Sequence, residues 1–259
     1  MRAARIVVIG GRGQIGAKTV ARLRRVGRNV RVASRRTGVD LLTGAGLETA
    51  LDGAAVVIDV SKPSTNDQAE LDAFFHTGSA NLLRAERAAG IRHHVFLSIV
   101  GSDHPHDIPF YRGKAAAEQM VRDSGVPFSI VHATQFFEFA PAIAASAESG
   151  GTVTLPDALV QPAAGGDVAD ALVDVALAAP TGTDADIAGP ERMGLAGFVA
   201  RALRAVGDDR EVVASADGRY FGGTLDRETL LPSGAARILP TTLDAWLAAG
   251  SSTDANLSL

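Results

Sequence analysis

The stretch Ile9-Gly10-Gly11-Arg12-Gly13-Gln14-Ile15-Gly16 directly follows a short apolar run and opens an amphipathic helix. It holds Gly-x-Gly-x-x-Gly from Gly11 and Gly-x-x-Gly-x-x-Gly from Gly10. Glycines there let the chain turn sharply and let main-chain amides approach a pyrophosphate, which rests on the positive end of the helix, while Gly16 allows helix and strand to pack closely. In a strand–turn–helix setting the motif predicts a dinucleotide site, with Gly10, Gly11, Arg12, Gly13, Gln14, Ile15 and Gly16 as its cradle.

The rest of the first half fits that setting. Strand-like runs fall near Arg5 to Ile9, Val30 to Ala33, Val39 to Leu41, Ala55 to Val60, His94 to Ser98 and Phe128 to His132. Helical patterns fall at Gln14 to Val26, Gly46 to Leu51, Gln68 to Ala89, Gly113 to Ser124 and Phe136 to Glu148. Continuous apolar runs such as Ile6-Val7-Val8-Ile9 suit strands covered on both faces, so the alternation predicts an α/β, Rossmann-type, doubly wound parallel sheet. Past Gly150 the pattern shifts to short strands with Pro and Gly, plus helices at Asp167 to Ala178 and Leu195 to Val206. The expected organisation is a dinucleotide-binding domain over 1–150, to which some later segments return, a small C-terminal substrate region over 151–250, and a flexible tail over 251–259.

An NAD-selective site ends its second strand in an acid that holds the adenosine ribose. Here Ala33 is followed by Ser34-Arg35-Arg36. Two guanidiniums at that place, with Arg12 from the glycine loop, suit the 2′-phosphate of NADP, which makes NADPH the preferred cofactor and NAD the alternative. Exposed loop arginines without a ligand are the plain alternative. Asp40 and Leu41 are candidates for the adenine edge and ring, and Val60, Ser61 and Lys62, at the carboxyl end of a strand, for the ribose or diphosphate.

Composition removes several classes of function. With no cysteine, disulfides, thiolate metal sites and cysteine nucleophiles are excluded. The first fifty residues hold eleven Arg or Lys against only Asp40 and Glu48, yet the net charge is −4 and aromatics make up 5%, which argues against a nucleic-acid partner. Without a long apolar stretch or leader-like start, a cytoplasmic protein free of the membrane is expected. His104 and His106 alternate in a Pro-containing loop that lacks a further spaced ligand, so no metal is expected.

Three further stretches share a pattern with the glycine loop: the strand end at Ser98, the run Phe110-Tyr111-Arg112-Gly113-Lys114-Ala115-Ala116-Ala117-Glu118, and Ser124-Gly125-Val126-Pro127 through Gln135-Phe136. Together they resemble the NmrA-like, atypical branch of the short-chain dehydrogenase/reductase family, with weaker similarity at Gly166-Asp167-Val168-Ala169 and Ala188-Gly189-Pro190-Glu191. The resemblance implies NAD(P) binding and either reductase activity or a cofactor-sensing regulatory role. Relatives place a tyrosine four residues before a lysine; Lys114 has Phe110 there, with Tyr111 three residues away and about 100° around a helix from that position. By resemblance Lys114 orients the nicotinamide ribose, Tyr111 is proton donor or pocket wall, and Ser98 ends a strand where a substrate carbonyl is held. Ala133 and Thr134 belong to the nicotinamide-side loop. Phe110, Tyr111, His132, Gln135, Phe136 and Phe139 are candidates for an apolar, ring-accepting substrate pocket.

The leading expectation is an NADPH-dependent oxidoreductase passing hydride to a small quinone, enone or ketone. A non-catalytic cofactor sensor with a protein partner, and an isomerase or epimerase with held cofactor, are the alternatives. A homodimer is compatible with either.

Overall fold

The computed structural model describes residues 5–63, 65, 67–104 and 107–250. The tail expected at 251–259 and His106 of the paired-histidine loop lie outside the described residues.

The chain begins β1 (Arg5–Ile9), α1 (Gln14–Arg25), β2 (Val30–Ala33), α2 (Leu47–Leu51) and β3 (Ala54–Asp59). It continues with α3 (Gln68–Asp72), a π-turn at Ala73–Gly78, α4 (Ser79–Ala89), β4 (His93–Ile99), α5 (Pro109–Asp123), β5 (Phe128–Ala133) and α6 (Ala140–Ser146). Next come β6 (Glu148–Ser149), β7 (Thr152–Pro156), β8 (Leu159–Val160), α7 (Gly165–Leu177), β9 (Asp184–Ala188) and β10 (Met193–Gly194). The last elements are α8 (Leu195–Ala205), β11 (Glu211–Ser215), β12 (Ala236–Ile238) and α9 (Leu243–Ala248).

Seven strands form one sheet in the order β12-β9-β5-β4-β3-β1-β2. β1 pairs in parallel with β2 and β3, β3 with β4, and β9 with β12. The Rossmann-type doubly wound sheet is therefore present. Ile6, Val7, Val8 and Ile9 are all buried, as a strand covered on both faces requires. Because β1 lies between β2 and β3, the strand order reverses at its carboxyl end, where such sheets collect ligands.

Four element boundaries depart from the sequence pattern. Val39 to Leu41 forms no strand: the Asp40 carboxylate caps its own turn, accepting from the amides of Leu42 at 2.8 Å and Thr43 at 3.3 Å. The expected helix over Gln68 to Ala89 is interrupted by the π-turn. α5 starts four residues before Gly113, with Pro109 at its first position, where the missing amide proton costs nothing. The helix expected from Phe136 begins as a short 3₁₀ turn, Phe137–Phe139, before α6.

The chain divides into two compact units that interleave along the sequence. The first unit is Met1–Ser98, Gly113–His132 and Val168–Ala185; the second is Ile99–Arg112, Ala133–Asp167 and Asp186–Leu259. The second unit has its own core around Phe137, which packs 5.6 Å from Trp246 and 6.3 Å from Phe198, ring centroid to centroid. Among the described residues, no helix is long and apolar enough to cross a membrane.

Candidate functional site

The first unit carries the glycine cradle. Gly10 turns the chain with φ +75°, and a Cβ there would stand 2.8 Å from Ser61 Cα. A Cβ on Gly16 would stand 2.2 Å from the Gly10 carbonyl oxygen and 2.7 Å from Gly11 Cα. Both positions therefore accept glycine alone. Gly13 caps α1 without a side-chain hydrogen bond, and the helix has no acid in its first turn. Its amino end, with Gln14 and Ile15 leading, is thus left with free donors and a positive dipole for an anion. Val60 donates from its amide to the Ile9 carbonyl oxygen at 3.1 Å, and Ser61 donates to Asp59 at 2.8 Å, which fixes Val60, Ser61 and Lys62 along the loop.

At the end of β2, Ser34 and Thr37 cap a 3₁₀ turn over Arg35–Thr37. The guanidiniums of Arg12, Arg35 and Arg36 are exposed, and none has a partner among the described residues. Three cations beside a glycine loop, unneutralised by the protein, fit a phosphate monoester. Asp40 spends one carboxylate oxygen on its turn, and Leu41 is buried.

Lys114 is a buried lysine. Its Nζ donates to the Leu97 carbonyl oxygen at 2.7 Å, 4.3 Å from the centre of the Phe96 ring and 5.5 Å from that of Phe75. The π-turn seats Phe75 against Gly113 so closely that a Cβ there would meet the ring at 2.2 Å. Burial lowers the Lys114 pKa to about 8, against the opposing pull of Asp59 and Glu118. Neither acid stands out in the sequence as a candidate; Asp59 is legible there only as the charge that ends the apolar run Ala55-Val56-Val57-Ile58.

Ser98 donates its hydroxyl to Glu118, and His132 Nε2 stands 3.1 Å from the other carboxylate oxygen. Arg122 bridges Glu118 at 3.0 Å and also bonds Asp184. Glu118, His132 and Asp184 have their ligand-type atoms within 4.8 Å of one another. The Arg122 guanidinium ties both carboxylates together within the protein. Ser98's proton is committed to Glu118, which leaves its oxygen only acceptor capacity.

The second unit carries the aromatic set. Phe136 and Phe139 pack edge to face at 6.1 Å, and Phe110 and Phe139 lean on the same core as buried Tyr111. Gln135 Nε2 donates to the Tyr111 hydroxyl at 3.1 Å. Tyr220, absent from the candidates that the sequence suggests, packs its ring 6.5 Å from that of Tyr111. Ala133 and Thr134 are buried, and the Thr134 hydroxyl donates to the Gln161 carbonyl oxygen at 2.7 Å. The structure thus groups Ser98, Lys114 and His132 with the glycine cradle in the first unit, and Phe110, Tyr111, Gln135, Phe136 and Phe139 in the second.

The NmrA-like family model matches residues 2–178. A (4-alkanoyl-5-oxo-2,5-dihydrofuran-3-yl)methyl phosphate reductase of Streptomyces griseus is 35% identical over 206 residues, covering 72% of this chain and 68% of that protein. The photosystem II assembly factor Ycf39 of Cyanophora paradoxa is 29% identical over 147 residues, 51% of this chain and 46% of that protein. Among solved structures, MoeE5 in complex with UDP-glucose and NAD superposes with TM-score 0.68 at 17% identity, covering 93% of this chain and 91% of that one. The Escherichia coli NADPH-dependent quinone oxidoreductase QOR2 with NADPH gives 0.62 at 20% identity, covering 81% and 77%. At those identities the two structures bear on the fold. With the family model matching across its glycine cradle and α5, and the reductase 35% identical over most of its length, this chain belongs to the NmrA-like family.

Proposed function

We propose that the protein is an NADPH-dependent reductase of a small carbonyl-bearing substrate, a quinone, enone or ketone. Family membership and the 35% identical reductase support a nicotinamide-dependent oxidoreductase in general. The observation that carries the NADP preference is the set of exposed, unpartnered guanidiniums of Arg12, Arg35 and Arg36 beside the glycine cradle. The named oxo-dihydrofuran substrate of that relative supports an activated alkene or carbonyl as acceptor.

In this reading the α1 amides hold the pyrophosphate, the three arginines hold the 2′-phosphate, and Lys114 orients the nicotinamide ribose. The bound cofactor supplies the hydride. The protein's own work is to place the ring and keep a cation near the ribose. A cofactor-sensing protein without turnover is the second reading, favoured by Phe110 at the expected tyrosine position and by the similarity to an assembly factor.

Calorimetric titration with NADPH and NADH, beside NADPH oxidation against quinones, enones and ketones, tests both. Tighter NADPH binding with turnover on at least one acceptor is expected. Tight binding with no turnover on any acceptor favours the sensor, and no heat with either nucleotide removes both readings.

A further inference from the structure

Arg192 is fixed at its root and open at its tip. Its Nε donates to the Gln161 side-chain oxygen at 3.1 Å. Gln161 is buried, and its own amide nitrogen donates to the Gly189 carbonyl oxygen at 2.7 Å. The backbone behind that bond is close-packed, since a Cβ on Gly189 would collide with the Pro162 carbonyl oxygen. The two Nη nitrogens of Arg192 have no partner among the described residues. A guanidinium anchored in this way presents them as a two-pronged fork, the shape that matches a carboxylate.

The same guanidinium lines a cavity of about 1060 Å³ whose walls all belong to the second unit. Asp226 and Glu228 line it too, and their carboxylates have no partner among the described residues. Arg227, between them in the chain, is spent on Asp157 at 2.8 Å. No ion pair joins Arg192 to either acid, so one cavity holds opposite charges that the fold keeps apart.

Exposed charges alone would describe a solvated crease, but the wall is built at a cost. Asp107 accepts from the Thr224 amide at 2.9 Å and from the Thr224 hydroxyl at 3.1 Å, and both residues line the cavity. That contact closes a corner in which Phe221 has φ +46°, the only positive value for a non-glycine among the described residues. A Cβ on Gly223 would stand 2.5 Å from the Asp107 Oδ1. On the adjoining wall Gly101 has φ +84°, and a Cβ there would collide with the carbonyl oxygen of Thr229. Backbone strain persists where its surroundings over-determine it, and it gathers around ligand sites.

The balance of charge selects the ligand. Apart from His104, the cavity is lined by Arg112 and Arg192 against Asp107, Asp226 and Glu228. Asp107 is already hydrogen-bonded through both oxygens, and Arg112 donates to the Asp107 carbonyl oxygen at 3.3 Å. Setting those two charges against each other leaves one guanidinium and two carboxylates. A plain anion would meet the acids and a plain cation the guanidinium, whereas a molecule carrying both signs meets a complement at each end.

We propose that this cavity binds a small zwitterion, an amino acid or a close analogue, whose carboxylate sits on the Arg192 fork and whose ammonium is taken by Asp226 and Glu228. The site is independent of the reductase reading, because neither end of the ligand is asked to meet a nicotinamide.

The test uses the full chain with its arginine Nε atoms labelled with ¹⁵N, the Arg192 resonance being identified by its loss in Arg192→Gln. The probes are glycine, 4-aminobutyrate and 6-aminohexanoate, which space the two charges progressively, beside butyrate and butylamine, which carry one each. At least one zwitterion is expected to move the Arg192 resonance and to bind about tenfold more tightly than either single-charge compound, the size of one added charge-assisted contact. Asp226→Asn with Glu228→Gln is expected to reduce that zwitterion to the affinity of butyrate, and Arg192→Gln to reduce it to that of butylamine. Unchanged unfolding midpoints in these variants separate loss of the ligand from loss of the fold. Zwitterions that bind no more tightly than butyrate or butylamine overturn the proposal. So does a zwitterion whose affinity survives both sets of substitutions, since it then binds elsewhere.

Discussion

Lys114 donates from Nζ to the Leu97 carbonyl oxygen at 2.7 Å, and that bond ties the expected ribose-orienting cation on α5 to the backbone of β4. The amine is buried, and its ordinary pKa of 10.5 falls to about 8 because burial penalises the charge more than Asp59 and Glu118 favour it. Two pH dependences follow, of opposite use. Activity that needs the cation is lost as pH rises through about 8, so kcat/KM acquires a basic limb there. Stability runs the other way. Between about 8 and 10.5 the unfolded chain holds the proton and the folded one releases it, so this group alone makes the protein more stable as pH rises through that window. Rate profiles and unfolding midpoints across that range check both signs, and Lys114→Met should remove both together.

Arg35 and Arg36 follow β2 on an exposed 3₁₀ turn, and their guanidiniums have no partners among the described residues. Arg35→Ala with Arg36→Ala should weaken NADPH by about 100-fold, the size of two charge-assisted hydrogen bonds, and NADH by less than about threefold. Equal losses measured by calorimetry would show that the turn does not read the 2′-phosphate.

The glycine cradle and the buried first strand were legible because their signals are local: Gly10 and Gly16 occupy positions where a Cβ collides with backbone, and Ile6 to Ile9 lack any polar face. Val39 to Leu41 looked like a strand because its apolar residues are buried, yet their burial comes from a loop that Asp40 caps. The start of α5 was hidden by Pro109, which reads as a break in sequence and acts as a first-turn residue in the fold. Tyr220 was invisible for a different reason. Arg219-Tyr220-Phe221-Gly222-Gly223 has no periodicity, and its tie to Tyr111 exists only after the second unit has folded. Asp59 and Glu118, which set the charge environment of Lys114, act likewise through tertiary packing.

Glu86 and His94 form a second buried ionisable pair, with His94 Nδ1 2.8 Å and 2.9 Å from the two carboxylate oxygens and both residues 1% exposed or less. Burial raises the Glu86 pKa against the pull of His94; for His94 burial works downward, and Glu86 overcomes it to give a net rise. Glu86→Ala removes the acceptor and leaves the imidazole buried with only the more distant, opposing charges of Asp59 and Lys114, a loss of about 3 kcal/mol. Replacing both, Glu86→Leu with His94→Phe, should recover much of that in urea unfolding, because no buried polar group is then stranded. The raised His94 also contributes stability that is complete below its ordinary value of 6.5 and fades as pH rises through its folded value.

The glycine cradle makes the sharpest separation of binding from folding. A methyl at Gly16 would sit 2.2 Å from the Gly10 carbonyl oxygen and 2.7 Å from Gly11 Cα, both backbone atoms of the loop itself. Relief requires the loop to move off α1, which pulls the amides away from a pyrophosphate. Gly197 lies on α8, where an added methyl would meet nothing within 4 Å, so Gly197→Ala should be neutral or slightly stabilising, since alanine favours the helix by up to about 1 kcal/mol. Gly16→Ala should abolish the rise in melting temperature that NADPH gives the parent protein, while Gly197→Ala retains it. A Gly16→Ala protein that binds NADPH as tightly as the parent would move the dinucleotide away from α1.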